Sequence, residues 1–504
     1  MRALATVLVA LLLVLSGCSA VLPGDTTDAT TTTPADTQTA TSTASPTTAQ
    51  ATTQTPTTTP RPDPESDVLG WENGYWHDDV LSVTTDDGLN ETELDAVVAR
   101  AMARVEHVRE LEFNETVPVE IITRAEYQNE TQEEYTDDFR AFDNAKFEAM
   151  FFVGEDRDAL AVQNTNRGSN VLGYYSPKDD AIVIVANSET PSLDAEGTLS
   201  HELVHALQDQ HYNISSISRP TRELYNARNG LIEGEANYVQ RLYLERCDAE
   251  WQCLEAPESN GGGGVPDDFH WGIYFLNFFP YSDGPGFVGQ VHSAQGWDGV
   301  NNLYANLPNS AEQVIYPQKY GDDEPTDVTL EDTNAGDWER VIPESPHPDQ
   351  ERPAYASLGQ SALSAMFAHT FTDSYNQSRV VEPQEFINYE ENGRVNSSDP
   401  FNYDLRYTRG WDGDRMHVYK NDDGETGYVW KLVWDSPEDA QQFADGYERL
   451  LQHWGAHRVS ENVWVVPEGE PYADAFYISV EGDTVTIVNA PTTDDLPDVS
   501  ETAA

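Results

Sequence analysis

The sequence predicts an α+β protein. A mixed sheet with a motif-bearing helix comes first, a helical lobe follows it, and a small α/β lobe closes the chain. Three observations carry this. Helix-spaced segments alternate with short strand-like runs between residues 91 and 245. A strand pair stands just before the segment holding His201-Glu202-Leu203-Val204-His205. Between residues 400 and 490 lie the runs MHVYK, GYVWKLVW, FYISV and TVTIV, with a helical segment near Pro437–Trp454.

Residues 1–17 read as an export signal. Arg2 precedes an apolar run, ALATVLVALLLVL, that is short for a bilayer span. The following Leu-Ser-Gly-Cys resembles a lipobox, which implies cleavage before Cys18 and a lipid on its thiol. Residues 18–66 are rich in Thr, Ala, Pro, Ser and Gln without apolar period, the composition of a disordered stalk. The reading is therefore a secreted glycoprotein, lipid-anchored to the extracellular face of the membrane, with the anchor as its only membrane contact. Candidate N-glycosylation sequons stand at Asn90, Asn114, Asn129, Asn213, Asn376 and Asn396.

The main domain is expected over residues 67–395. Leu94, Val97, Val98, Ala101, Val105 and Val108 have helical spacing within 91–111, and 117–124 reads as a strand. Residues 138–152 suggest another helix. Two strands, near Val171–Tyr175 and Ala181–Val185, flank turn chemistry at Ser176–Asp180. A helix over Asp194–His211, capped by Ser192 or Asp194, and another over Arg222–Glu245 complete the regular part. Residues 256–264 form a Gly-rich loop, and the later part is mixed. The small lobe spans 396–492 and an acidic tail 493–504. With Cys18 lipidated, Cys247 and Cys253 remain as a disulfide pair.

The formal charge is −60, from 88 acidic and 28 basic residues. The only lysines are Lys146, Lys178, Lys319, Lys420 and Lys431. Acidic residues share segments with Trp, Tyr and aliphatics, so the charge covers a folded surface rather than a disordered tail. Such a surface repels itself in dilute salt and is screened at molar salt, where the Debye length is about 3 Å. This points to a halophile. It also argues against nucleic acid as a partner.

On a helix, His201 and His205 lie one turn apart on one face and can grip one metal ion. Glu202 beside them can act as general base toward water. Two groups compete as third ligand. Glu233, in Glu233-Gly234-Glu235-Ala236-Asn237, can reach the ion from the next helix, which Gly234 and Ala236 would let approach. Glu235 lies about 200° around that helix and faces elsewhere. His211 stands ten residues after His201, the metzincin spacing, but Gln208 occupies the position where metzincins break the helix with Gly. Glu233 is preferred and His211 is the alternative. Asn237, one turn after Glu233, is a candidate to support a histidine ligand.

HELVHALQDQH followed by EGEA resembles the gluzincin zinc metallopeptidases. The resemblance implies a zincin-like fold, Zn2+ as cofactor, His201, His205 and Glu233 as ligands, and Glu202 as general base. The expected third-ligand helix pattern E-x-x-x-D ends in Asn237 here. More narrowly, residues 170–450 resemble archaeal and bacterial surface proteins with three shared runs: Gly173-Tyr174-Tyr175, Glu312 to Tyr320, and Gly410 to Arg415. Those runs mark kinship and imply no reaction.

The expected function is zinc-dependent hydrolysis of extracellular or envelope polypeptides in high salt. The alternative is a non-catalytic adhesion, binding or envelope-assembly lipoprotein that retains the fold. Tyr238, Tyr281 and His292 are candidates for a transition-state donor. The aromatic run Phe275–Tyr281 and the Gly-Pro-Gly at 284–286 are candidates to line a cleft or to form core and turn. Arg415 reads as a structural salt-bridge residue.

Overall fold

The computed structural model describes residues 61–83, 88–123, 125–127, 135–168, 173–186, 196–247, 249–254, 268–346, 352–373, 375 and 378–504. The export signal, Cys18, most of the stalk, Ser192, Asp194, the loop 256–264 and the sequons at Asn129 and Asn376 lie outside them. The described part begins before the expected 67. Arg61 pairs with Asp78 at 3.0 Å and lies 4.4 Å from the ring centroid of Trp76.

Helix α1 (Glu91–Arg109) starts at Asn90. The Asn90 side chain accepts from the N–H groups of Thr92 and Glu93, and the Glu93 carboxylate accepts from Asn90 N–H at 3.1 Å, a capping box. Its apolar stripe is buried, as are Arg100, Arg104 and Arg109. Strands β1 (Val119–Ile122), β2 (Gly173–Ser176) and β3 (Ala181–Val185) form a sheet in the order β1-β3-β2. β1 is parallel and β2 antiparallel to β3. Every residue of β3 is buried, as its unbroken apolar run requires, and β2 is an edge. Helices α2 (Asp137–Ala149) and α3 (Ala159–Gly168) intervene between β1 and β2.

Helix α4 (Glu196–Tyr212) carries the motif and α5 (Arg222–Leu244) follows. Glu196 and Glu235 dock these helices against α1: Glu196 pairs with Arg100 and Arg104, and Glu235 with Arg109. The expected disulfide joins Cys247 to Cys253 just after α5. The aromatic run forms α6 (Trp271–Ser282), and its Gly-Pro-Gly opens α7 (Gly284–Leu303). Phe275, Phe278 and Phe279 are buried, so most of the run is core. Short α8 (Ala311–Ile315) and buried α9 (Gly359–His369) complete the helical part.

The C-terminal strands are longer in extent than the expected lobe. β4 (Glu339–Arg340), β5 (Trp411–Lys420), β6 (Thr426–Trp434), β7 (His457–Arg458), β8 (Val463–Val465), β9 (Ala475–Glu481) and β10 (Thr484–Ala490) make one antiparallel sheet. Its order is β4-β5-β6-β10-β9-β8-β7. Helix α10 (Pro437–His453) lies against it. The apolar core runs without interruption from Leu89 to Ile487, crossing the expected boundary at 395/396. A second small core buries Leu496 and Val499, from a short helix within the acidic tail 493–504, against Tyr419 and Val488. The chain is α+β, as the alternation of periods predicts.

Candidate metal centre

His201, His205 and Glu233 offer ligand atoms that all lie within 4.8 Å of one another. The His201 and His205 Nε2 atoms stand 3.1 Å apart. Glu233 Oε2 is 3.3 Å from the first and 3.2 Å from the second. Three donors held about 2.0–2.1 Å from a tetrahedral zinc stand roughly 3.3 Å from one another. The triangle therefore fits that ion. Its N2O donor chemistry fits as well, and Glu233 Oε2 is buried without a hydrogen-bond donor. These residues suit a transition-metal ion, zinc among them.

The hydrogen bonds around His205 fix its tautomer. Gln208 donates through Nε2 to Ile232 O at 2.9 Å and to Glu235 at 3.0 Å. Its amide oxygen consequently faces His205 Nδ1, at 2.8 Å. Nδ1 must therefore keep its proton, so Nε2 is the nitrogen that would give up its own to face an ion. Glu235 is itself held by Arg109 and by the Tyr304 hydroxyl. A chain of buried polar contacts thus runs from α1 to a metal-facing nitrogen. Gln208 is the residue that sequence reasoning missed as a support. The signal was present, since it stands three residues after His205 on the same helix face.

Charge is shared tightly here. Burial alone would lower the His205 pKa, but the Glu233 carboxylate outweighs it and lifts the value to about 9. Burial would raise Glu233, yet the two histidines hold it well below the usual carboxylate range. Burial raises the Glu202 pKa above its ordinary value. Glu202 Oε2 accepts from Tyr175 N–H on edge strand β2 at 3.0 Å. The Tyr175 hydroxyl donates to Asp209 on α4 at 3.2 Å, so both ends of that residue fasten the strand to the motif helix.

Tyr281 joins the site. Its ring stacks on His201 with centroids 6.4 Å apart, and its hydroxyl lies close enough to Glu233 to feel that carboxylate's charge. Burial, first of all, keeps that hydroxyl protonated by raising its pKa far above normal. Gly230, Gly234 and Gly284 explain how it gets there. A Cβ on Gly234 would lie 2.5 Å from the Gly284 carbonyl carbon, and one on Gly284 would lie 2.4 Å from Gly230 O. The close approach that Gly234 permits is therefore to the corner between α6 and α7. It was expected to be to the motif helix.

Other sequence candidates fall elsewhere. Helix α4 continues unbroken to Tyr212, and His211 Nε2 contacts Glu112 O at 2.8 Å. Ten residues of helix put it about 15 Å along the axis from His201. Asn237 donates to the Glu233 backbone oxygen at 2.9 Å and touches neither histidine in its hydrogen bonding. The Tyr238 hydroxyl pairs with His292 Nδ1 at 2.9 Å, and both rings lie against Trp297. Asn114 bonds Gln210 O at 3.1 Å. Asn213 sits at φ 51°, and Asn396 accepts from Ser398 N–H at 3.1 Å.

The three shared runs have different roles. Gly173-Tyr174-Tyr175 is the strand that holds Glu202. In the second, Lys319 binds Glu312 at 2.7 Å, Asp323 at 2.8 Å and Asp435 at 3.0 Å. In the third, buried Asp414 accepts from Leu358 N–H, Gly359 N–H and the Trp430 indole. Arg415 pairs with Asp327 at 2.9 Å and lies over Tyr355, as its structural reading expects.

Residues 344–500 match the model of a family described as Domain of unknown function (DUF8575). That segment takes in α9, β5 to β10 and α10, and it begins well after the metal-centre residues. No curated protein and no solved structure matches the chain.

Proposed function

We propose that this chain is a zinc-dependent metallopeptidase of zincin-like type, displayed on the outer face of the membrane through Cys18 and acting on polypeptides in high salt. The observation that carries the reading is the near-tetrahedral triangle of two imidazoles and one carboxylate, with Glu202 beside it. His201, His205 and Glu233 would hold a zinc ion, which would supply Lewis acidity toward a water and a carbonyl. Glu202 accepts the water proton at its carboxylate and delivers it to the departing amine. The Tyr281 hydroxyl, protonated and adjacent, is the donor suited to the carbonyl oxygen as negative charge develops there. Strand β2 offers an edge on which an extended substrate can pair.

A second reading draws on the depth of the site. His201 is 6% exposed and His205 and Glu202 9%, and the Glu233 side chain is 19% exposed. That suits a metal-stapled surface protein without hydrolysis.

Two assays on the full-length chain in high salt separate them: zinc content, and cleavage of an unstructured protein. Glu202→Gln is expected to keep zinc and to lose cleavage by about 10²-fold or more. Cleavage equal to wild type would remove the peptidase reading. In the same assay Glu233→Ala is expected to lose zinc while His211→Ala keeps it.

A further inference from the structure

Most buried carboxylates in this chain have a donor. Glu196 and Glu235 meet arginines, Asp143 meets Lys146 and Arg352, and Asp414 meets backbone N–H groups. Glu148 and Asp474, like Glu223, Glu233 and Asp283, each keep one buried oxygen without a partner. Glu148, in the last turn of α2, is 6% exposed, and Asp474, just before β9, is 2% exposed. Glu148 Oε1 and Asp474 Oδ1 have no hydrogen-bond partner. The other Asp474 oxygen accepts from Asn489 at 2.7 Å. Glu155, from the loop after α2, brings a third carboxylate. Ligand oxygens of the three lie within 4.8 Å of one another. Among the described residues, no lysine, arginine or histidine forms an ion pair with any of them. Leaving two such oxygens buried, ionised and unmatched is strongly unfavourable.

We propose that Glu148, Glu155 and Asp474 bind a hard divalent cation of the calcium class. All-oxygen carboxylate donors select such ions over zinc. Two positive charges offset the buried pair, and exposed Glu155 gives the ion a way in. A proton shared between Glu148 and Asp474 is the competing solution. It answers the pair but leaves the convergence of Glu155 without a purpose. The location gives the ion a role. The loop after α2 meets the loop before β9 in close contact: a Cβ on Gly154 would lie 2.2 Å from Pro471 O, and Tyr472 donates to Phe151 O at 2.7 Å. The ion joins the half that carries the metal helix to the seven-stranded sheet. It is independent of the His201 centre.

The test uses the full-length chain in molar potassium chloride. Terbium is the first probe, since Tyr428, Tyr447 and Tyr472 lie close enough to Glu148 to feel its charge and can sensitise emission. We expect terbium emission that calcium displaces, and a rise of about 5 °C in Tm at millimolar calcium. Glu148→Gln with Asp474→Asn is expected to abolish both. Glu155→Gln, at an exposed position, is expected to fold normally and to weaken calcium binding roughly tenfold. The proposal is overturned by a wild-type Tm indifferent to calcium, which leaves only a shared proton. It is equally overturned by a calcium shift that survives the double variant, by one lost in His201→Ala, or by unchanged calcium affinity in Glu155→Gln.

Discussion

The proton of His205 couples the metal centre to pH. With its pKa lifted to about 9 by Glu233, the imidazole of the metal-free chain is protonated at neutrality. Zinc must displace that proton, so binding releases it. Apparent zinc affinity is therefore expected to rise about tenfold per pH unit toward pH 9 and to level off above it, measured by competition with a chromophoric chelator. An affinity flat in pH would contradict the protonated imidazole. Gln208 supplies the other control, because its amide oxygen fixes the tautomer. Gln208→Leu is expected to weaken zinc binding about 10–100-fold while the helix content by circular dichroism stays unchanged. The motif made the two histidines and Glu202 legible, and helix geometry separated Glu233 from Glu235. Tyr281 was legible only as one of three candidates, because nothing in the local pattern shows that a distant helix returns to the site.

At the scale of elements, the close crossing of α5 with the α6–α7 corner sets the position of Glu233. Gly234→Ala places a methyl where the Gly284 backbone stands 2.5 Å away. Overpacking of this kind is expected to cost roughly 1–3 kcal/mol in denaturant unfolding and to reduce zinc affinity through the neighbouring Glu233. The hairpin Trp71–Glu72 and Tyr75–Trp76 adds a second pH dependence. Burial first, then Glu106, raises Glu72 to about 9, and burial raises Glu106 to about 7. Both are acids raised in the folded state, so their contribution is full below the ordinary carboxylate pKa and is lost as pH rises through about 7 and 9. Glu72→Gln is expected to flatten that fall in a Tm-versus-pH series. Strong period made α1, α4, α5 and the β5–β6 hairpin readable. Helix α6 was not, since it is apolar nearly all round, and α9 is buried along its whole length. Strands β4, β7 and β8 are too short to carry a pattern.

The whole molecule carries a formal charge of −60. Self-repulsion on that scale weakens the compact state unless salt screens it. Tm is expected to rise steadily from dilute buffer to molar potassium chloride, and a salt-independent Tm would contradict the halophilic reading. Composition made this surface legible. It gave no sign that one apolar core would run through both halves, because continuity of packing depends on contacts distant in sequence. The account depends most on a metal held by side chains from α4 and α5. Zinc K-edge absorption on the purified full-length chain tests it most directly. We expect one zinc per chain with two imidazole nitrogens and a carboxylate oxygen at about 2.0–2.2 Å, lost in His201→Ala and Glu233→Ala. A chain that stays zinc-free in zinc-supplemented medium, or zinc that persists in both variants, would contradict it.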